Sequence, residues 1–204
     1  MAITPTKELL LDEAEKLIRT RGYAAFSYAH LSDLVGIQKA SIHYHFPTKE
    51  ALGAAMIDAY LVKFEEDLQH VLDNEPKVGK RLRRYADFFV ASMSGDLLPL
   101  CGALAAEMSI LPRSMQDRVR YFFGLHLKWL NNVLSAGVAS GELRSDLDVD
   151  AASRLILSTL EGASLVAWAT QDGSMILKTV ENVIAGLEAP RPSNGSAAHE
   201  KVTA

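Results

Sequence analysis

At 204 residues, 49% of them hydrophobic, the chain can bury a full core, which excludes a disordered or fibrous protein. No apolar run approaches the ~20 residues of a membrane span, and Met1-Ala2-Ile3-Thr4-Pro5 lacks the charged and then apolar regions of a signal peptide, so no membrane partner and a cytoplasmic location are expected. The net charge of −4 runs against a broad basic footprint, and the single cysteine, Cys101, excludes an intrachain disulfide framework and a cysteine-only metal cage.

The helical period starts at once. Leu9, Leu10, Ala14, Leu17 and Ile18 recur at three- and four-residue steps behind Thr4-Pro5, a cap followed by a first-turn proline, so a first helix is expected from about Pro5 to Thr20 with Gly22 ending it. Ser27 can cap a short second helix, Tyr28 to Val35, which Gly36 terminates, and a third short helix follows over about Gln38 to His45. Pro47-Thr48 stops that helix and caps a long fourth one, Lys49 to about Leu72, with Leu52, Met56, Tyr60, Phe64 and Leu68 on one stripe. Asp73-Asn74-Glu75-Pro76 breaks the pattern before a fifth helix, about Val78 to Met93, and a sixth, about Pro99 to Ile110.

A long seventh helix opens at Pro112 and Ser114 and reaches about Gly141, its apolar residues covering more than one face. After an acidic loop around Ser145 to Asp148 an eighth helix runs to about Thr170, Gly173-Ser174 separates it from a ninth, Met175 to Leu187, and a Pro- and Ser-containing tail from Ala189 reads as disordered. Period-two alternation is not sustained anywhere, so the chain reads as all-α with about nine helices.

The stretch Tyr28 to Phe46 places two short helices around a glycine within about twenty residues, the spacing of a helix-turn-helix whose second helix enters a major groove. Residues 1–50 hold six basic residues (Lys7, Lys16, Arg19, Arg21, Lys39, Lys49) and six acids (Glu8, Asp12, Glu13, Glu15, Asp33, Glu50), so any grip on DNA depends on where those charges point. The run Gly36-Ile37-Gln38-Lys39-Ala40-Ser41-Ile42-His43-Tyr44-His45-Phe46-Pro47-Thr48-Lys49-Glu50-Ala51-Leu52 resembles the second DNA-binding helix of the TetR family of repressors and the residues after it. Upstream, Glu15-Lys16-Leu17-Ile18, Arg21-Gly22-Tyr23 and Phe26-Ser27 are similar to that family's first helix and its exit. The chain departs from the pattern at Gln38, where a serine is usual, and at His43, where a tyrosine is common.

The resemblance implies an N-terminal helix-turn-helix domain over 1–48, a helical effector-binding and dimerisation domain over 49–188, and a tail over 189–204. Its expected partners are double-stranded operator DNA, a small-molecule effector and a second copy of the chain. Gln38, Lys39, Ser41, His43 and Tyr44 fall on or near the outer side of the third helix, where base edges are read. Lys49 stands where it can neutralise a phosphate, and Ser27 and Tyr28, with Ala29, are expected against the DNA backbone. Ile37, Ile42 and Phe46 read as core.

An apolar effector pocket is expected from Tyr85, Phe88, Phe89, Met93, Cys101, Leu104, Glu107, Met108, Phe122, His126 and Trp129, each of which also reads as ordinary core. Glu107 and His126 are the polar candidates, either for orienting a ligand or for pairing with each other. Cys101 reads either as a buried thiol or as one activated by a helix N-terminus to sense electrophiles. Leu155, Thr159, Ala163, Val166, Val180 and Ile184 are expected in a dimer interface made by the eighth and ninth helices.

His30, His43 and His45 lack an acid or cysteine at metal-ligand spacing, so no metal or other cofactor is expected. No phosphate-cradling glycine loop, nucleophile elbow or His-Glu zinc motif is present, which argues against an enzyme. The expected function is therefore a repressor released from a palindromic operator by a small molecule, the alternatives being an activator or a cysteine-based sensor on the same fold.

Overall fold

Helix α1 (Pro5–Ala25) buries Leu10, Ala14, Leu17 and Ile18, the stripe its periodicity requires, and in the computed structural model it carries the chain past Gly22. Gly22 adopts φ 81° and ψ 160°, a conformation open to glycine, so the last residues of α1 turn away from its axis instead of ending there. The structure describes residues 5–93 and 97–188. Thr4 and the tail from Ala189, expected as a cap and as disordered chain, lie outside the described residues.

Among the described residues nine helices and no named strand are present: α1, α2 (Tyr28–Val35), α3 (Lys39–His45), α4 (Lys49–Asn74), α5 (Val78–Ser92), α6 (Leu100–Ala106), α7 (Arg113–Ala139), α8 (Val149–Thr170) and α9 (Ser174–Leu187). The fold is all-α. None of these helices is long and apolar enough to cross a membrane.

The caps act as the sequence requires. His30 N–H donates to Ser27 Oγ at 3.5 Å, Ala51 N–H to Thr48 Oγ1 at 3.0 Å, and Ala151 N–H to Asp148 Oδ1 at 3.0 Å, each occupying a donor that the first turn leaves without an intrahelical partner. Gly36, at φ 72°, closes α2 in the left-handed region. Helix α6 is shorter than the sequence suggests, because the chain leaves α-geometry at Glu107, whose side chain is engaged elsewhere.

Helices α1, α2 and α3 pack on the start of α4 around Leu31, Ile42 and Phe46, each at most 3% exposed. Helices α4 to α9 form the second lobe. Arg118 on α7 clasps Asp58 on α4 with two hydrogen bonds of 2.7 and 2.9 Å, and Arg83 on α5 clasps Glu181 on α9 with bonds of 2.6 and 2.9 Å. Helices α8 and α9 pack closely on each other through Ile156, Leu160, Ile176, Val180 and Ile184, all fully buried.

The two lobes are fastened at α1. Arg19 donates to the carbonyls of Leu98 at 2.7 Å and Ser92 at 2.5 Å while pairing with Glu15 at 2.9 Å. From the other side, Glu107 accepts from the N–H groups of Tyr23 at 2.5 Å and Ala24 at 3.3 Å, the amides that the Gly22 turn leaves free. Two orphan donors and one guanidinium thus tie the first helix to the segments on either side of α6.

Candidate functional site

The turn between α2 and α3 is built from both ends. Ser32 Oγ donates to Ile37 O at 2.6 Å and pins the turn, and Tyr28 Oη donates to Phe46 O at 2.8 Å, tying the start of α2 to the end of α3. Burial of Ile42 at 0% exposure fixes how α3 is rotated about its axis, and a fully buried isoleucine contributes roughly 1.5–3 kcal/mol to holding that rotation. With Ile42 inward, Lys39, Ala40, Ser41, His43 and Tyr44 point outward, together with Gln38 at the N-cap, and Tyr44 is 84% exposed. His43 Nδ1 lies 3.2 Å from Pro47 O and its ring meets Tyr28 edge-on, which steadies the end of α3.

Three expected DNA-contacting side chains are engaged within the protein instead. Tyr28 is buried, its hydroxyl is spent on Phe46 O, and burial holds its ionisation up at about 12, so its ring is a strut inside the domain and does not face a phosphate. Ser27 Oγ is the α2 cap. Lys49 folds back over the rings of Tyr23 and Phe26, with Nζ 4.4 and 5.0 Å from the centroids, and donates to Ala24 O at 3.4 Å. Burial lowers its ionisation, with Glu107 partly opposing, so this ammonium braces the exit of α1 against α4.

In the second lobe an aromatic chamber of about 20 Å³ is lined by Tyr60, Phe64, Phe88, Phe89, Ser92, Pro99, Cys101, Phe122, His126 and Glu161. Tyr60, Phe64, Phe88 and Ser92 also wall a groove of about 330 Å³ between α1, α4 and α5. His126 is the centre of the chamber's packing: Phe64 stacks on it at 4.4 Å and Phe122 meets it edge-on at 4.1 Å. Tyr85 Oη bonds to His126 Nδ1, Trp129 stacks on Tyr85 at 5.1 Å, and His126 Nε2 is buried with no hydrogen-bond partner among the described residues. Burial alone pushes the imidazole down to about 3, so it is neutral at physiological pH.

Of the pocket residues expected from the sequence, Phe88, Phe89, Cys101, Phe122 and His126 line the chamber. Tyr85 and Trp129 stand behind His126, Leu104 is fully buried core, and Met93 and Met108 are half-buried against the core. Glu107 neither lines the chamber nor pairs with His126, because its carboxylate holds the exit of α1. Cys101 is 1% exposed and burial raises its ionisation well above the usual thiol range, so the sulfur stays protonated and shielded. Of the two readings of Cys101, this burial favours the buried thiol over the activated one.

Glu161 on α8 is the chamber residue the sequence reading passed over, together with Tyr60, Phe64, Ser92 and Pro99. It is the single charged residue between Arg154 and Asp172, a signal visible in the sequence. Burial holds its carboxyl up at about 7. A side-chain carbon at Gly102 would meet Glu161 Oε2 at 2.9 Å, so glycine at that position gives the carboxyl its room against α6.

The expected dimer residues divide. Leu155 (53% exposed) and Val166 (47%) face outward on α8 beside Leu165 and Trp168, and Thr159 is half-buried. Ala163, Val180 and Ile184 are buried within their own chain, at 7, 0 and 0% exposure, where they hold α8 and α9 together and cannot meet a partner.

Comparison with known proteins agrees with this architecture over both lobes. Residues 10–56 match the family described as "Bacterial regulatory proteins, tetR family", and residues 79–182 match "Tetracyclin repressor-like, C-terminal domain". The HTH-type transcriptional repressor KstR2 of Rhodococcus jostii is 29% identical over 89% of this chain and 90% of its own. A TetR family transcriptional regulator from Agrobacterium tumefaciens superposes with a TM-score of 0.85 at 30% identity, covering 89% of this chain and 97% of that one. A TetR regulator from Legionella pneumophila gives 0.83 at 29% identity over 92% and 100% of the two chains. With matches running through the DNA-reading helices and the second lobe alike, the chain belongs to the TetR family and is a DNA-binding transcriptional regulator, not an enzyme.

Proposed function

We propose that this regulator is a repressor that binds a palindromic operator as a homodimer, reads it with Gln38, Lys39, Ser41, His43 and Tyr44, and is released when a small, largely apolar molecule enters the aromatic chamber. The observation that carries the DNA half is the rotation of α3: with Ile42 fully buried, Gln38 at the N-cap and four polar side chains of the helix stand exposed on its outer side. The outward apolar side chains of α8, Leu155, Leu165, Val166 and Trp168, support two-fold pairing with a second copy, and Gly162 leaves open space for its close approach. The chamber touches α4 through Tyr60 and Phe64, and α4 begins directly after the recognition helix. A ligand that parts α4 from α5 and α7 therefore changes the separation of the two recognition helices, provided it binds the released state better than the DNA-bound one.

The test is an anisotropy titration against promoter fragments selected by the protein from its own genome. Lys39→Ala and Tyr44→Ala are expected to weaken the selected operator by about 1–3 kcal/mol each, with unfolding unchanged. Unaltered binding in both variants would overturn the assignment of α3, and full operator affinity with the chamber ligand-saturated would overturn release.

A further inference from the structure

The chamber holds one carboxyl group and no cationic side chain to match it. Among the described residues Glu161 makes no ion pair, His126 is too deeply buried to protonate, and the nearby Arg19 is committed to Glu15, Ser92 O and Leu98 O. The elevated ionisation of Glu161 is what a carboxylate without a compensating cation shows. Tyr60, Phe64, Phe88 and Phe122 line the chamber with it, and the groove sharing that wall carries three acids, Asp12, Glu15 and Asp67, against Arg19 and Lys63.

We infer that the effector is an arylalkylamine, whose protonated nitrogen is neutralised by Glu161 and whose ring system lies among the chamber's aromatic side chains. The inference rests on the effector reading of the chamber and adds to it the charge of the ligand. Three features converge on a cation: a half-buried carboxylate without an ion pair attracts one, the aromatic lining can add cation–π attraction, and no cationic side chain lines the chamber to favour an anion. Phenol O–H is the stronger donor in the Tyr85–His126 contact, which leaves the imidazole proton on Nε2, a buried donor without a partner among the described residues. At about 20 Å³ the chamber admits little more than a water molecule, so the ligand must draw α4 away from α5 to enter, and its binding energy is coupled to that opening.

The experiment is isothermal titration of the full chain at pH 8 with 1-naphthylmethylamine and with its neutral isostere 1-naphthalenemethanol, on wild type, Glu161→Gln and Ser92→Trp, with melting curves to show that each variant is folded. The expected result is at least tenfold tighter binding of the amine by wild type, loss of that preference in Glu161→Gln with alcohol binding kept within twofold, and loss of both ligands in Ser92→Trp, which blocks the shared wall. Equal or tighter binding of the alcohol by wild type overturns the amine proposal. If Ser92→Trp also abolishes that alcohol binding, the chamber stands as the effector site. Failure of both compounds to bind wild type overturns both readings.

Discussion

Glu161 and His126 line one chamber and burial holds both neutral, raising the ionisation of the carboxyl and lowering that of the imidazole, so their contributions to stability oppose each other along the pH axis. In the folded chain Glu161 titrates at about 7 against 4.5 for an exposed glutamate. The folded state therefore holds this proton more tightly than the unfolded state does. Its contribution is fully present below pH 4.5 and is lost as pH rises to about 7. At 1.36 kcal/mol per unit the loss is at most ~3 kcal/mol. His126, lowered from 6.5 to about 3, behaves in the reverse sense: its contribution is full above pH 6.5 and falls as pH drops, because the unfolded chain takes up a proton the buried ring refuses. Between pH 4.5 and 6.5 the two slopes cancel.

Replacing Glu161 with Gln removes one side of this balance while keeping the shape of the side chain. The gain in stability over wild type should be near zero at pH 4.5 and grow by ~1.4 kcal/mol per pH unit until about pH 7, then level off. Urea unfolding followed by circular dichroism at pH 4.5, 5.5, 6.5 and 7.5 measures the difference, with protein concentration fixed because a dimer's apparent stability depends on it. Taking the difference cancels the other carboxylates, and the charged groups near the chamber, Glu15 and Arg19, are common to both proteins. A difference constant across that range would refute the burial argument for Glu161.

Tyr28→Phe should cost about 1–2 kcal/mol in chemical unfolding by leaving the buried Phe46 carbonyl without its donor, yet leave operator affinity intact where the protein is folded; a large affinity loss without a stability loss would return Tyr28 to the DNA surface. Glu107→Ala should lower stability by about 1–3 kcal/mol, with Glu107→Gln recovering part because the amide oxygen still accepts from Tyr23 and Ala24; equal losses in both variants would show that the carboxylate acts through charge alone. Native protein should resist maleimide labelling at Cys101 and label rapidly in urea, and fast native labelling would contradict its burial.

The outer face of α3 was legible in the sequence because Ile42 and Phe46 mark its inner side and the flanking glycine and Pro47-Thr48 set its limits. Tyr28 and Lys49 were harder, since each has an apolar stem and a polar end, and local spacing does not reveal that Phe46 O and the Tyr23 and Phe26 rings lie within reach. Helices α8 and α9 are apolar on more than one side. Periodicity gives the stripes but not which stripe the chain keeps for itself, and so Ala163, Val180 and Ile184 were grouped with Leu155 and Val166 although the two sets face opposite ways. Glu107 looked like a pocket acid because α6 seemed to continue past it; the real signal was the pair of amides left open by Gly22, more than eighty residues upstream.

The fastening of α1 by Arg19 and Glu107 bears on how such regulators can be recombined. A cut after residue 48 would sever the recognition helices from the carbonyls of Ser92 and Leu98 and from the Glu107 carboxylate, all of which belong to the other lobe. A chimera that grafts this DNA-reading head onto the effector lobe of a relative would inherit unpaired amides at Tyr23 and Ala24 and a guanidinium without its carbonyls. The segment from Ser92 to Glu107 therefore has to travel with the head, and the exchangeable unit of this protein is discontinuous along the chain.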